Sequence, residues 1–297
     1  MNQFDDMHIF ATAVELRGFT AAAERLGLSK QFVSRRVGAL EARLGARLLT
    51  RTTRKLAVTD LGRIYYERVR QILQDVSDAD QAVSSHSGQP RGLLRLSAPM
   101  TFSTMHLSGL VPQFLRTHPH VSLEMELNDR AVDVVGEGYD MALRIGALAD
   151  SSLIARLIAP VRTVLCCSPS YRAARGVPAT PAQLSEHECI LAAQQRSAEW
   201  RLMVEGKEVV VAVGGRLRYN NGELARDAAV AGLGIIRLPQ FMVAAALRAG
   251  QLETLLDAYR PPDTGLYALY PQHRQASLII RAFTDYLCAA FADGLPG

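Results

Sequence analysis

The stretch FTAAAERLGLSKQFVSRRVGALEARLGARLLTRTTRKLAVT, residues 19–59, decides the fold of this chain. An alanine-rich run over 20–26, the pair Gly27-Leu28, and a periodic run over 30–44 headed by Ser29 predict two helices joined by a tight turn. In the second helix Val33, Val37, Leu40 and Leu44 recur at offsets of four, three and four, so a 3.6-residue period puts all four on one buried side. The other side carries Gln31, Ser34, Arg35 and Gly38. Polar donors separated by residues as small as serine and glycine suit a helix that lies in a DNA major groove and reaches base edges.

Charge supports the same reading. Between Leu28 and Thr59 stand eight basic residues, Lys30, Arg35, Arg36, Arg43, Arg47, Arg51, Arg54 and Lys55, against the single acid Glu41, a local charge of +7 in a chain whose total is +4. A positive field confined to a helix-turn-helix is the footprint of phosphate binding. After the second helix, Leu48 and Leu49 read as buried, Leu56 and Val58 alternate as a short strand does, and the basic tip 51–55 lies between them. That is a two-stranded wing, which would set Arg51, Arg54 and Lys55 against the DNA backbone or minor groove. The predicted DNA-facing set is Thr20, Lys30, Gln31, Phe32, Ser34, Arg35, Arg51, Arg54 and Lys55.

The segments AAAERLGLS and VSRRVGALEARLGARLLTRTTRKLAVTDLG resemble the amino-terminal domain of LysR-type transcriptional regulators, and the match runs over residues 5–85. One departure is that the family often has Gln-Pro where this chain has Gln31-Phe32. The resemblance implies a winged helix-turn-helix, a linker helix that pairs antiparallel with that of a second copy, and an effector domain of the periplasmic-binding-protein type. It also implies homodimers that commonly pair again as homotetramers.

Working outward, residues 4–16 form a first helix whose Met7, Phe10, Ala11 and Val14 should pack on Val33, Val37 and Leu40. Beyond the wing a long helix runs to residue 84. Tyr65, Val69, Ile72, Val76, Ala79 and Val83 are spaced in it as a heptad seam, narrow enough to cover one partner helix and so predicting dimerisation. The polar, breaker-rich stretch 85–90 reads as a hinge. The expected organisation is a DNA-binding domain over 1–60, a linker helix over 61–84 and an effector domain over 91–297.

From residue 91 strands alternate with helices, which argues for mostly parallel sheets with helices on both faces, an α/β class. Strands are expected near 93–97, 121–127, 140–145, 162–168, 199–204, 208–213, 235–238 and 266–270. Helices are expected near 104–117, 131–136, 169–175, 223–231, 239–249 and 277–292. Two lobes follow, 91–162 with 266–297, and 163–265. Such folds bind ligands where strand ends meet helix starts. The expected wall is Ser97, Ala98, Pro99, Met100, Thr101 and Phe102 after the first strand, Asn128 after the second, Arg144, Ile145 and Gly146 on the third, the segment 195–200, and Asn220 and Asn221. Free amides at the helix start over 99–102 would accept a carboxylate or similar anion. Arg144 has two readings, a guanidinium in the cleft or an outward salt bridge on its strand.

Composition closes off other classes. With 48% hydrophobic and 21% charged residues the chain reads as soluble and globular, and no apolar run is long enough to cross a bilayer. The start MNQFDDMHIF carries no export pattern, so a cytoplasmic protein is expected. Cys166 and Cys167 are adjacent in an apolar strand, so one should face the core and the other the surface; Cys189 and Cys288 complete no framework. The seven histidines form no metal spacing, and no nucleophile elbow, Walker loop or G-x-G-x-x-G is present. Neither metal, cofactor nor enzymatic activity is expected. The reading is a DNA-binding regulator modulated by a small molecule; the alternative is a solute-binding or enzymatic α/β protein with a fused helical dimerisation module.

Overall fold

The computed structural model describes residues 2–51, 56–84, 89–146, 148, 151–193, 198–262 and 264–296. Contacts divide the chain into two units, Met1–Gly88 with Ala276–Leu278, and Gln89–Gln275 with Ile279–Gly297.

In the first unit α1 (Gln3–Glu15), α2 (Phe19–Leu26) and α3 (Lys30–Leu44) precede a hairpin of β1 (Leu49–Arg51) and β2 (Leu56–Val58) and the long α4 (Asp60–Ser84). Asn2 opens α1 with a capping box to Asp5, which satisfies amides that the helix itself cannot. Gly27 ends α2 at φ 64°, a left-handed conformation that lets the chain turn into α3 within two residues. Val33, Val37 and Leu40 are fully buried against Ile9, Phe10, Ala13, Ala22 and Ala23, together with Leu48 and Leu49 of the wing. Leu44 departs from the expected face: it lies one turn beyond this core and is exposed.

The first helix is buried on two sides rather than one. Ile9, Phe10 and Ala13 meet α3, whereas Met7 and Ala11 turn to α4 and enclose Val69, with Tyr65, Tyr66 and Leu73 around them. This corrects the heptad seam. Tyr65, whose ring lies 5.5 Å from that of Phe10, and Val69, 0% exposed, belong to the unit's own core. Ile72 and Val76 are 39% and 41% exposed, and Leu61 and Ile64 add further exposed apolar surface to α4. Ala79 is exposed as well, while the Val83 side chain lies outside the described residues. The spacing alone could not separate the two uses, because a stripe of this period serves a neighbour in the same chain as well as one in another. Gly62 marks a close approach of α4 to the wing: a Cβ there would stand 2.0 Å from the Leu48 carbonyl oxygen.

The second unit opens with β3 (Gly92–Ala98), the one-turn α5 (Met100–Phe102), a π-helical turn over Ser103–Leu107 and α6 (Ser108–Thr117), so the expected helix begins four residues early and is broken in register. Then follow β4 (Val121–Leu127), β5 (Met141–Gly146), β6 (Leu153–Val161), β7 (Thr163–Cys167), α7 (Pro169–Arg175) and β8 (Cys189–Ala192). A hairpin of β9 (Glu199–Val204) and β10 (Lys207–Ala212) leads to β11 (Arg218–Tyr219), α8 (Gly222–Val230), β12 (Ile235–Pro239) and α9 (Gln240–Arg248). The chain closes with β13 (Glu253–Leu255), β14 (Thr264–Pro271) and α10 (Leu278–Ala290).

Two five-stranded sheets result, in orders β4-β3-β5-β14-β6 and β11-β8-β12-β7-β13. Each is mixed rather than mostly parallel, since β14 runs antiparallel to both β5 and β6, and β7 antiparallel to both β12 and β13. The cause is topological: β14 enters the first sheet from the other lobe, so no crossover helix constrains its direction. The expected helix over 131–136 is also absent; residues 134–138 form turns, held by Asp133 Oδ1 accepting the Gly136 amide at 2.9 Å.

Strand alternation sorts the first sheet. Leu94, Leu96, Ala98, Met141 and Leu143 meet Phe102, Phe114, Ile280 and Phe283 in the main core. On the opposite face Ala142 packs with Val134 and Tyr139. In the second lobe Leu165 and Cys167 face Trp200 and Leu202, while Val164 and Cys166 face Ala225, Ala229 and Val243. Both cysteines are therefore interior, one on each side of a sheet covered twice, which corrects the surface position expected for one of them. Burial pushes Cys166 up to about 12 and Cys167 to about 11, so neither is a thiolate near neutrality.

Candidate nucleic-acid interface and ligand cleft

The outward face of α3 follows from its inward one. With Val33, Val37 and Leu40 in the core, the helix period leaves Lys30, Gln31 and Arg35 exposed, and Thr20 of α2 is exposed beside them in the motif. Ser29 caps the helix by accepting the Phe32 amide at 3.2 Å, which fixes where the first turn begins. Phe32 is not a simple surface residue. It is half-buried against the helix-turn-helix core, and the Arg35 guanidinium lies 5.3 Å from its ring centroid, a cation–π contact one turn along the helix.

Not every charge in the basic run projects outward. Arg36 turns back to Asp6 of α1, Nη2 to Oδ1 at 2.5 Å, and is a structural tie. The lone acid Glu41 is held by the wing, its Oε1 accepting the amides of Leu48 at 2.8 Å and Leu49 at 2.9 Å. The positive field of Lys30, Arg35, Arg43 and Arg47 is thus opposed by no outward carboxylate of the same run. β1 and β2 pair antiparallel, Leu49 with Val58 and Arg51 with Leu56, so the wing strands stand where alternation put them. The Arg51 side chain, Arg54 and Lys55 lie outside the described residues.

The cleft is built on the face of the first sheet opposite the main core. Ser97 and Arg144 project to that face, and the buried Ser97 hydroxyl accepts Arg144 Nη2 at 2.9 Å while Nη1 donates to the Leu143 carbonyl at 2.8 Å. Asn128 Nδ2 donates to the same hydroxyl and to Glu126 Oε1, both at 3.3 Å. Of the two readings of Arg144, the cleft-facing one holds, and among the described residues no ion pair occupies its guanidinium. Burial lowers its pKa, partly countered by the nearby carboxylate of Asp129.

A cavity of about 300 Å³ joins the lobes here, lined by Pro99, Asn128, Asp129, Arg144 and Ile145 from the first and by Tyr219, Asn220, Leu238 and Met242 among others from the second. Gly222, where α8 starts, is also in the wall, and a Cβ there would meet Met242 Sδ at 2.6 Å. A larger cavity of about 630 Å³ lies on the first lobe alone and shares Asp129, Arg144 and Ile145 with the cleft; Gly146 lines this second space. The smaller one is the candidate ligand site, because, unlike the larger, it is walled by polar groups from both lobes.

Several expected wall residues lie elsewhere. Ala98 and Phe102 are core, the Phe102 ring packing on His106, Phe241 and Phe291. Ser97 and Thr101 are buried beneath the wall. Met100 is 39% exposed at the rim, and Asn221 donates to its sulfur at 3.6 Å while capping α8 through the Leu224 amide at 2.9 Å. Of the segment 195–200, residues 195–197 lie outside the described residues and Trp200 is core. The amide expected to take a ligand anion is already engaged: Met100 N–H donates to Asp129 Oδ1 at 3.1 Å. Asp129 is the cleft residue the sequence reading missed. Its signal was an acid directly after Asn128 at a strand end, a position that sheet topology turns toward the cleft.

A winged helix-turn-helix followed by a two-lobed α/β domain with a polar cleft defines a ligand-responsive DNA-binding regulator. The chain belongs to the LysR family of transcriptional regulators: residues 4–63 match the bacterial regulatory helix-turn-helix protein family of lysR type, and residues 87–292 the LysR substrate binding domain. Among similar proteins is the HTH-type transcriptional regulator PtxR of Pseudomonas aeruginosa, 36% identical over 95% of this chain and 90% of its own length. The HTH-type transcriptional activator AaeR of Escherichia coli is 33% identical over 96% and 94%. Among solved structures, CrgA, a LysR-type regulator from Neisseria meningitidis, aligns with a TM-score of 0.60 at 29% identity over 98% and 99% of the two chains. The full-length virulence activator AphB of Vibrio cholerae aligns with a TM-score of 0.57 at 27% identity over 97% and 99%. The chain is accordingly a transcriptional regulator and not an enzyme. No helix among the described residues is long and apolar enough to cross a membrane.

Proposed function

We propose that α3 is the reading helix of this regulator, with Thr20, Lys30, Gln31, Ser34 and Arg35 toward the duplex, Phe32 behind Arg35, and Arg51, Arg54 and Lys55 on the flanking backbone. The observation that carries this is the sidedness of α3: three core residues inward, an exposed cationic and amide face outward, and the one local acid bonded to the wing. Two copies would join through the exposed apolar stretch of α4 at Ile72, Val76 and Ala79, which multiplies affinity by presenting two reading heads, and dimers would pair into tetramers. The working compartment is the cytoplasm. The DNA-binding domain is assigned to 1–60, the linker to 61–84, the hinge to 85–90 and the effector lobes to 91–162 with 266–297 and 163–265.

The effector enters the cleft at Pro99, Asn128, Arg144, Ile145 and Asn220, and its carboxylate pairs with Arg144. By favouring one lobe arrangement it biases an existing equilibrium of the oligomer on DNA. The test is a gel-shift series on duplexes selected from random sequence by the full chain. Arg35→Ala is expected to flatten preference among sequences, and Ile72→Asp with Val76→Asp to convert dimers to monomers in sedimentation. Unaltered preference and unaltered mass would refute the two assignments in turn.

A further inference from the structure

Among the described residues, three groups in the cleft lack partners of a kind their chemistry calls for. Asn128 Oδ1 is buried and has no hydrogen-bond donor among the described residues. Its orientation is set, because Nδ2 faces Glu126 Oε1, which can only accept. Among the described residues Asp129 accepts one backbone amide and forms no ion pair, and Arg144 is held by two neutral oxygens and forms no ion pair. The cleft therefore offers two acceptors and one cation from the first lobe.

We propose that the cleft receives a small zwitterion of the α-amino-acid type, its carboxylate held by Arg144 and its ammonium by the Asp129 carboxylate and the Asn128 amide oxygen. This rests on the reading of the cleft as the effector site and narrows the ligand. The local charge balance argues against a plain carboxylate. Among the described residues around Arg144, two arginines (Arg130 and Arg144) face three acids (Glu126, Asp129 and Glu137), a net charge of −1. Arg130 is already paired with Glu137. A monocarboxylate at Arg144 would sit in the field of the Asp129 carboxylate, whereas a neutral zwitterion adds no net charge and meets both signs at short range. Size agrees: about 300 Å³ lies at the small end of ligand sites. The second lobe supplies Tyr219, Leu238 and Met242, a largely apolar wall suited to an amino-acid side chain.

The experiment is a thermal-shift screen of the full chain with the common L-α-amino acids at about 10 mM, beside the matched acids lacking the amine and the matched amines lacking the carboxylate. At least one amino acid should raise the Tm while its two truncated counterparts do not. Calorimetric affinity for that amino acid should fall about tenfold or more in both Asp129→Asn and Arg144→Gln, the loss expected for one charge-assisted contact. If acids lacking the amine bind as well, and bind more tightly to Asp129→Asn, the zwitterion is wrong while the cleft remains the effector site. If no compound in the three sets shifts the wild-type melt, ligand class and cleft assignment both fall. Should Asp129→Asn lose its cooperative melt, Asp129→Glu decides: it keeps the charge, moves it by one methylene, and should still weaken the amino acid; unchanged affinity would overturn the proposal.

Discussion

Arg35 and Arg144 are both guanidiniums offered to an anion, and they are presented in opposite ways. Arg35 stands exposed on a helix, with the Phe32 ring 5.3 Å from its guanidinium. Arg144 is half-buried on a strand, aimed by the Ser97 hydroxyl and its own chain's Leu143 carbonyl, with burial pulling its pKa down. The difference teaches what each surface can recognise. An exposed cation in a run of like charge acts through a long-range, salt-screened field suited to a polyanion. A desolvated cation acts at contact distance, so its neighbours Asp129 and Asn128 decide what may approach.

A third arginine gives the limiting case and the largest expected effect. Arg274, 5% exposed, pairs with Asp140 at 2.7 Å, and Asp140 Oδ2 also accepts the Arg95 amide at 2.8 Å. Asp140→Ala should cost roughly 3 to 5 kcal/mol in urea unfolding, since it removes the carboxylate from a buried ion pair. A loss below about 1 kcal/mol would mean that burial does not set the distinction drawn here. At the exposed end, Arg35→Ala should leave stability within about 0.5 kcal/mol but remove roughly 1 to 3 kcal/mol of discrimination between selected and scrambled duplexes. Equal weakening on all duplexes would make Arg35 a phosphate contact instead.

The same contrast between inward and outward use runs along α4. Val69→Ala should destabilise the first unit by about 2 kcal/mol, whereas Val76→Ala should change it by less than about 0.5 kcal/mol, as read by chemical denaturation. Comparable losses would show that both valines are core. A smaller effect separates field from contact: Lys30→Ala should lower the slope of log affinity against log salt by about 1 on every duplex. The smallest concerns the thiols. With Cys166 and Cys189 pushed up to about 12 by burial, iodoacetamide near pH 8 should leave both unmodified in the folded protein while reaching the half-exposed Cys288, as mass spectrometry of intact and unfolded protein would report.

The reading head was legible in the sequence because its residues are neighbours along the chain. The offsets of Val33, Val37 and Leu40 dictate which face is buried, and the remaining face follows without knowledge of anything distant. Where a second element had to be known, the reading faltered. Nothing local distinguishes Val69 from Val76, since the seam's period is the same whether α1 or another copy covers it. Nothing local tells that Phe102 points into the core while Pro99, three residues earlier, lines the cleft.

By itself, then, the sequence determined the order of parts, the sidedness of α3, the local positive charge and the α/β character of the remainder, because periodicity and composition act over a few residues. Only tertiary structure decided which half of α4 is internal, that β14 returns antiparallel between β5 and β6, and that Asp129 stands beside Arg144 in the cleft. Those outcomes depend on strands and helices brought together from distant parts of the chain, and on the burial that makes a charge choose its partner.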